Sequence, residues 1–165
     1  MRQAISERVF PGAVLLVSKA GSIACHQAYG FADLPARRLM TTETIFDLAS
    51  LTKPLATALA MMILIQQGKI GTEQVLGDIL PVFKDDQKSK IKVKHLLNHT
   101  SGLTDYRPYY KEIEQLPTKN RKPALRNLLV TEPLISPIGT KVRYSDLGFM
   151  ILEWMVEYIS KKRLD

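Results

Sequence analysis

Ala13 to Val17 reads AVLLV, an unbroken apolar run that predicts a buried strand. Lys19-Ala20-Gly21-Ser22 carries a turn signal. From Ile23 the chain alternates. Ile23, Cys25, Gln27 and Tyr29 fall on one face, and Ala24, His26 and Ala28 on the other. Two such runs around a short turn predict a β-hairpin from Ala13 to Phe31, with His26 as a strand-surface residue. No further strand is evident after it. A lone hairpin is marginal in water, so it needs helices or further strands to cover it.

The period then changes. Only Thr57 is polar in PLATALAMMILI, Pro54 to Ile65, which predicts a helix buried all round. Gly68 is positioned to end it. A second helical start leads into HLLNHTSGL, His95 to Leu103. From Thr104 to Pro137 the chain is polar, interrupted by Pro108, Pro117, Pro123, Pro133 and Pro137, and carries Tyr106, Tyr109 and Tyr110. That pattern predicts surface loops and short helices, of the kind that form lids. Leu147, Met150, Ile151, Trp154, Tyr158 and Ile159 then recur at helical spacing and predict one buried stripe. There is no internal repeat and no low-complexity segment.

Composition narrows the classes. The chain has 165 residues, 45 % hydrophobic and 24 % charged, enough for one domain with its own core. No stretch approaches the roughly 20 apolar residues of a membrane span. MRQAISERVF lacks the apolar segment of a secretory signal. As written, this implies a cytoplasmic protein, or a periplasmic or extracellular one if the N-terminus is truncated. The net charge of +7 comes from scattered cations, the densest cluster being Lys161-Lys162-Arg163 at a helix end, which gives no case for nucleic acid. Cys25 is the single cysteine, so no intrachain disulfide forms and a zinc site would lack its usual sulfur ligands. It reads as a small buried hydrophobe in a strand.

The chemistry concentrates in FDLASLTKPLA, Phe46 to Ala56. Residues i and i+3 are neighbours on a helix, so Ser50 and Lys53 share a face. Pro54 has no N–H and must sit in the first turn, which places Ser50 at the helix start, where free N–H groups favour negative charge. A serine hydroxyl needs a base to become a nucleophile. Neutral lysine can serve, but freeing it of its proton at pH 7 costs about 4.6 kcal/mol against its ordinary value, which burial at the end of an apolar helix can supply. The alternative is plainer. Ser50 caps the helix and Lys53 is an exposed first-turn residue.

ASLTKP resembles the nucleophile motif of the serine β-lactamase and penicillin-binding-protein superfamily. The wider likeness is to its branch of class C β-lactamases, D-alanyl-D-alanine carboxypeptidases and family VIII carboxylesterases. FPGAVLLVSKAG resembles that branch's first strand and turn, HLLNHTSGL its LL-x-HTSGL segment, and Gly139-Thr140 with Tyr144-Ser145-Asp146 its PGT…YSN segment. These blocks appear in the family's order. The resemblance implies an α+β, β-lactamase/transpeptidase-like fold, with residues 1–48 as the hairpin part of the α/β domain and 49–165 as the helical region.

It also implies roles. Ser50 is the acylated nucleophile, Lys53 its base or proton relay, and Tyr144 the second base and acid. Asp146 is a substrate-binding residue where the family often has Asn. An ionised Asp accepts but cannot donate, which bears on β-lactam amide recognition, and its charge raises the lysine's affinity for its proton. Ile138 stands where Pro is frequent. His99 is not the base in this family, whose HTSGL segment shapes a loop. The family's third motif, a Lys- or His-containing triad ending in Gly that supplies the second oxyanion donor, has no counterpart here. The likeness therefore implies an N-terminal half, with the remaining strands in a missing C-terminal half. Losing one oxyanion donor costs roughly 10²–10³ in rate. The expected activity is acyl-enzyme hydrolysis of an ester, β-lactam or D-amino-acid amide, with peptidoglycan-like material among the substrates. The resemblance implies no metal or organic cofactor. The 165 residues alone are expected to be inactive and poorly soluble. The competing reading is a non-catalytic ligand-sensing or inactive fragment of the same fold.

Overall fold

The computed structural model describes residues 1–84 and 86–164. They form two compact units, Met1–Leu48 and Ala49–Asp165.

The first unit is a small antiparallel sheet in the order β1-β2-β3, with β1 Gly12–Lys19, β2 Ser22–Asp33 and β3 Arg38–Leu39. A five-residue helix, α1 (Arg2–Ser6), precedes it. The hairpin pairs Gly12 with Gly30 and Lys19 with Ser22, with a bulge after Val17. Ala20 and Gly21 form the two-residue turn, both at positive φ (50° and 79°), which matches the twist of the strands it joins. Gly30, at φ 69°, lies where a Cβ would come within 2.3 Å of the Pro11 carbonyl oxygen, so only glycine fits.

Two expectations change here. A third strand exists, though only two residues long, pairing Phe31 with Leu39. Second, AVLLV is not buried. Leu16 and Val17 are exposed, Cys25 is half-buried, and no residue of this unit is buried.

The second unit holds the core. Its opening helix is composite, with a 3₁₀ turn over Ala49–Leu51, a π-helical stretch over Lys53–Ala58 and then α2, Leu59–Gln66. Pro54 has no N–H for the Ser50 carbonyl, and the ladder widens from that point. The helix ends as Gly68 suggested. Gly68 takes φ 65°, its N–H bonds the Ile65 carbonyl and the Lys69 N–H bonds that of Leu64, a Schellman closure.

Burial of this helix departs from the all-round expectation. Thr57, its one polar residue, is buried with Met61 and Leu64, while Leu55, Leu59, Met62 and Ile63 are exposed. Lys53 begins the inward stripe, four residues before Thr57. The 18 residues Ala49–Gln66 also reach a mean hydropathy of 1.3, enough by length and composition for a span, contrary to the sequence expectation. Yet this run carries Lys53 and contributes Met61 and Leu64 to the protein core.

Short helices α3 (Leu76–Ile79) and α4 (Val93–Leu97) follow, then α5 (Tyr110–Ile113), α6 (Thr118–Thr131) and α7 (Asp146–Ser160). The 14-residue α6 exceeds the short helices expected of this segment, since it runs through Pro123 instead of breaking there. It persists because Leu125, Leu128 and Leu129 pack on the core, and because Lys122 bonds Glu153 and Glu157 of α7 at 3.0 and 2.6 Å. The α7 stripe is rotated from the expected one. Leu147, Ile151, Leu152, Met155 and Val156 are buried, whereas Tyr158 is exposed and Met150, Trp154 and Ile159 are half-buried. The proline-rich segment is tied down by Glu132. The buried Glu132 carboxylate takes the Arg107 guanidinium at 2.8 Å and the Tyr109 hydroxyl at 2.5 Å, while its carbonyl accepts from Lys88 Nζ at 2.9 Å.

Candidate active site

Four loci of the second unit converge. Ser50 lies in the 3₁₀ turn and Lys53 opens the π-helical stretch. Tyr144 lies in the approach to α7, and Asp146 is the first residue of α7. Lys53 Nζ donates to Ser50 Oγ at 3.3 Å and sits 2.7 Å from Asp146 Oδ1. The Tyr144 phenol lies close enough to Ser50 and Lys53 for both to shift its proton affinity. Lys53 Nζ also lies 5.0 Å from the centre of the Tyr144 ring and 5.9 Å from that of Phe149. Serine, lysine, tyrosine and aspartate thus meet in one cluster.

The electrostatics bear on the two roles expected of Lys53. Burial at Lys53 disfavours its charge, as anticipated from the apolar helix. The hydrogen bonds and charges of Asp146 and Tyr144 outweigh it and push Lys53 above its ordinary value. This favours the charged form of Lys53, and with it the relay role over that of a neutral base. Tyr144 moves the other way. Its hydrogen bond with Ser50, then that with Lys53, pulls the phenol below its ordinary value. The phenol is thus displaced towards its ionised form and the lysine away from its neutral one.

The HTSGL loop builds the platform. The Thr100 N–H closes on the His95 carbonyl at 2.8 Å, and the Leu103 N–H bonds Ser101 Oγ at 3.3 Å. Gly102 sits at φ 83°, where a Cβ would come within 2.3 Å of the Ser136 carbonyl oxygen. The Gly102 and Thr100 carbonyls accept from the Ile135 and Gly139 N–H groups at 2.9 and 2.8 Å. Ser145 then caps α7, its buried hydroxyl accepting from the Gly148 N–H at 3.2 Å and donating to the Thr104 carbonyl at 2.6 Å. A serine directly before the acidic Asp146 and an apolar run is a cap signal that sequence alone could have supplied. A cavity of about 420 Å³ lies beside the cluster, lined in part by Lys53, Thr57, Asp146 and Phe149. Among the described residues no group of three or more His, Cys, Asp or Glu could hold a metal.

Comparison with known proteins adds a family. The Beta-lactamase family model matches residues 1–165. The chain is 38 % identical over 173 residues to N-acetylmuramyl-L-alanine amidase of Bacillus subtilis (strain 168), covering 94 % of this chain and 38 % of the amidase. It is 40 % identical over 105 residues to esterase EstB of Burkholderia gladioli, covering 61 % of this chain and 26 % of EstB. Among solved structures, EstCE1, described as a hydrolase with promiscuous acyltransferase activity, superposes with a TM-score of 0.78 at 30 % identity, over 98 % of this chain and 45 % of that one. The chain therefore spans less than half the length of each of these relatives.

Proposed function

The chain belongs to the β-lactamase family, and from that premise we propose that it carries the acylating centre of a serine hydrolase. The carrying observation is the convergence of Ser50, Lys53 and Tyr144, with Lys53 Nζ 3.3 Å from Ser50 Oγ and 5.0 Å from the centre of the Tyr144 ring. Ser50 Oγ attacks the carbonyl carbon of an ester, β-lactam or D-amino-acid amide. Tyr144 accepts the Ser50 proton as the bond forms, and returns a proton to the leaving oxygen or nitrogen. Lys53, held as an ammonium by Asp146, stabilises the phenolate and relays the proton. The acyl-enzyme is then hydrolysed by water activated through the same phenol. Relatives named as an amidase, an esterase and putative D-alanyl-D-alanine carboxypeptidases support this range of acyl donors.

Because the chain spans 38 % of the amidase, turnover is assigned to the cleft as completed by the rest of such a protein, in the same polypeptide or in trans. A single phosphonylation asks less, needing only the nucleophile and its base. Treatment of the chain with a fluorophosphonate probe, followed by peptide mass spectrometry, is expected to place the adduct on Ser50 and to give none in Ser50→Ala. A folded chain that takes up no probe at Ser50 overturns the catalytic reading. It favours the non-catalytic one, in which the Lys53–Asp146 ion pair leaves Ser50 without an effective base.

A further inference from the structure

Residues 143–145 are gripped at three points by one side chain and its backbone. The His99 carbonyl accepts from the Arg143 N–H at 2.8 Å. The His99 Nδ1 accepts from the Ser145 N–H at 3.1 Å. Between those two bonds the imidazole lies against the Tyr144 ring, with centroids 4.7 Å apart at 37°, and it also lies 5.2 Å from the Phe149 ring. While making both polar contacts, His99 adopts φ 61°, a left-handed conformation that is costly for a residue with a Cβ. Nothing in chain continuity requires this. His99 and Ser145 are 46 residues apart.

We infer that His99 is a positioning residue for Tyr144, and that its grip depends on the imidazole being neutral, so that protonation of His99 releases the phenol from Ser50. The inference rests on Tyr144 serving Ser50, as proposed above. Its chemistry is simple. Nδ1 can accept the Ser145 N–H only while it carries no proton. Once protonated, two N–H groups face each other at 3.1 Å and the bond is lost. The ionisable groups around the ring are Tyr144 and Asp146 from the approach to α7 and its first turn, and Lys53 from the nucleophile helix; Phe149 is apolar. Burial, then the Lys53 charge, holds His99 below its ordinary value, against the opposing pull of Asp146. The grip is therefore closed at neutral pH and opens on the acid side.

Two substitutions separate this role from the loop's backbone needs. Asn tolerates the left-handed conformation and places Oδ1 near the position of Nδ1, keeping an acceptor that cannot be protonated. Gly tolerates the conformation and removes the acceptor. Proton NMR of the labelled chain is followed from pH 8 to pH 4, alongside the rate of fluorophosphonate labelling. In the wild type the Ser145 amide and Tyr144 ring signals are expected to move with the same midpoint as the His99 ring, below the ordinary imidazole value of about 6.5. His99→Asn should remove that step and label faster than His99→Gly, its Oδ1 keeping the Ser145 contact while the ring contact with Tyr144 is lost. His99→Gly should label about tenfold more slowly, the worth of one lost hydrogen bond. A Ser145 amide that stays put while His99 titrates, or a His99→Gly variant that labels as fast as wild type, overturns the inference. Absence of labelling in every form would refute the catalytic reading, and the NMR titration would still decide the grip.

Discussion

AVLLV of the first unit and the Leu- and Ile-rich α7 of the second both carry runs of aliphatic residues and have opposite fates. Leu16 is 54 % exposed, and no residue of 1–48 is buried, whereas Leu147, Ile151, Leu152 and Met155 are fully buried. The second unit closes on itself because helices from distant parts of the chain bring apolar faces together around Phe83, Leu96 and Ile151. The first unit is one thin sheet against which, among the described residues, only the five-residue α1 packs. Apolar sequence selects the element, but only a partner buries it.

A pair of truncations tests that contrast most severely. Leu152→Ala should destabilise the chain by about 2–5 kcal/mol, since it leaves a cavity in a closed core, while Leu16→Ala should change stability by no more than about 0.5 kcal/mol. Urea unfolding measures both. Equal losses would mean that the first sheet is as well covered as the second unit.

A smaller effect is expected where the proline-rich segment is fastened. Tyr109→Phe removes a hydrogen bond to the buried Glu132 carboxylate and should cost about 1.5–3 kcal/mol. The same unfolding curves test it, and a neutral outcome would mean that Arg107 alone holds Glu132. Smaller again is the cap of α7. Ser145→Ala should cost about 1 kcal/mol by leaving the Gly148 N–H without its acceptor. It should also slow Ser50 labelling, because Ser145 joins Tyr144 to the helix. A change in stability with no change in labelling would separate the cap from the site.

Much of this is legible in the sequence for local reasons. The Ala20-Gly21 turn, the Gly68 helix end and the Ser50–Lys53 neighbourhood each depend on residues within a few positions. The β-lactamase-like fold is legible through its ordered motifs. What is not legible depends on distant partners. The apolar face of α7 is so broad that periodicity cannot choose between the Leu147–Ile151–Met155 side and the Tyr158 side. Helix α6 overrides Pro123 with the help of Glu153 and Glu157, which α7 offers to Lys122. The charge of Lys53 turns on Asp146, 93 positions away in sequence and 2.7 Å away in space. The HTSGL segment marks His99 as a loop former, and its contact with Ser145 has no local signal.

The assignment on which the mechanism depends is that Tyr144, and not a neutral Lys53, takes the proton of Ser50. The two groups are displaced in opposite directions, Tyr144 below its ordinary value of 10.0 and Lys53 above its ordinary value of 10.5. Stabilisation from charged Lys53 is therefore complete below that ordinary value and is lost only as pH rises through the raised one, so the cluster stays intact while Tyr144 ionises. The rate of Ser50 phosphonylation from pH 7 to pH 10.5, measured in the wild type, Tyr144→Phe and Lys53→Met, decides between them. With tyrosine as the base, the wild-type rate rises with pH to a plateau whose midpoint lies below Tyr144's ordinary value of 10.0. Tyr144→Phe is then slower by about 10²–10⁴ and the rise is abolished. A rise that survives in Tyr144→Phe and disappears only in Lys53→Met would refute the assignment and return the role of base to the lysine.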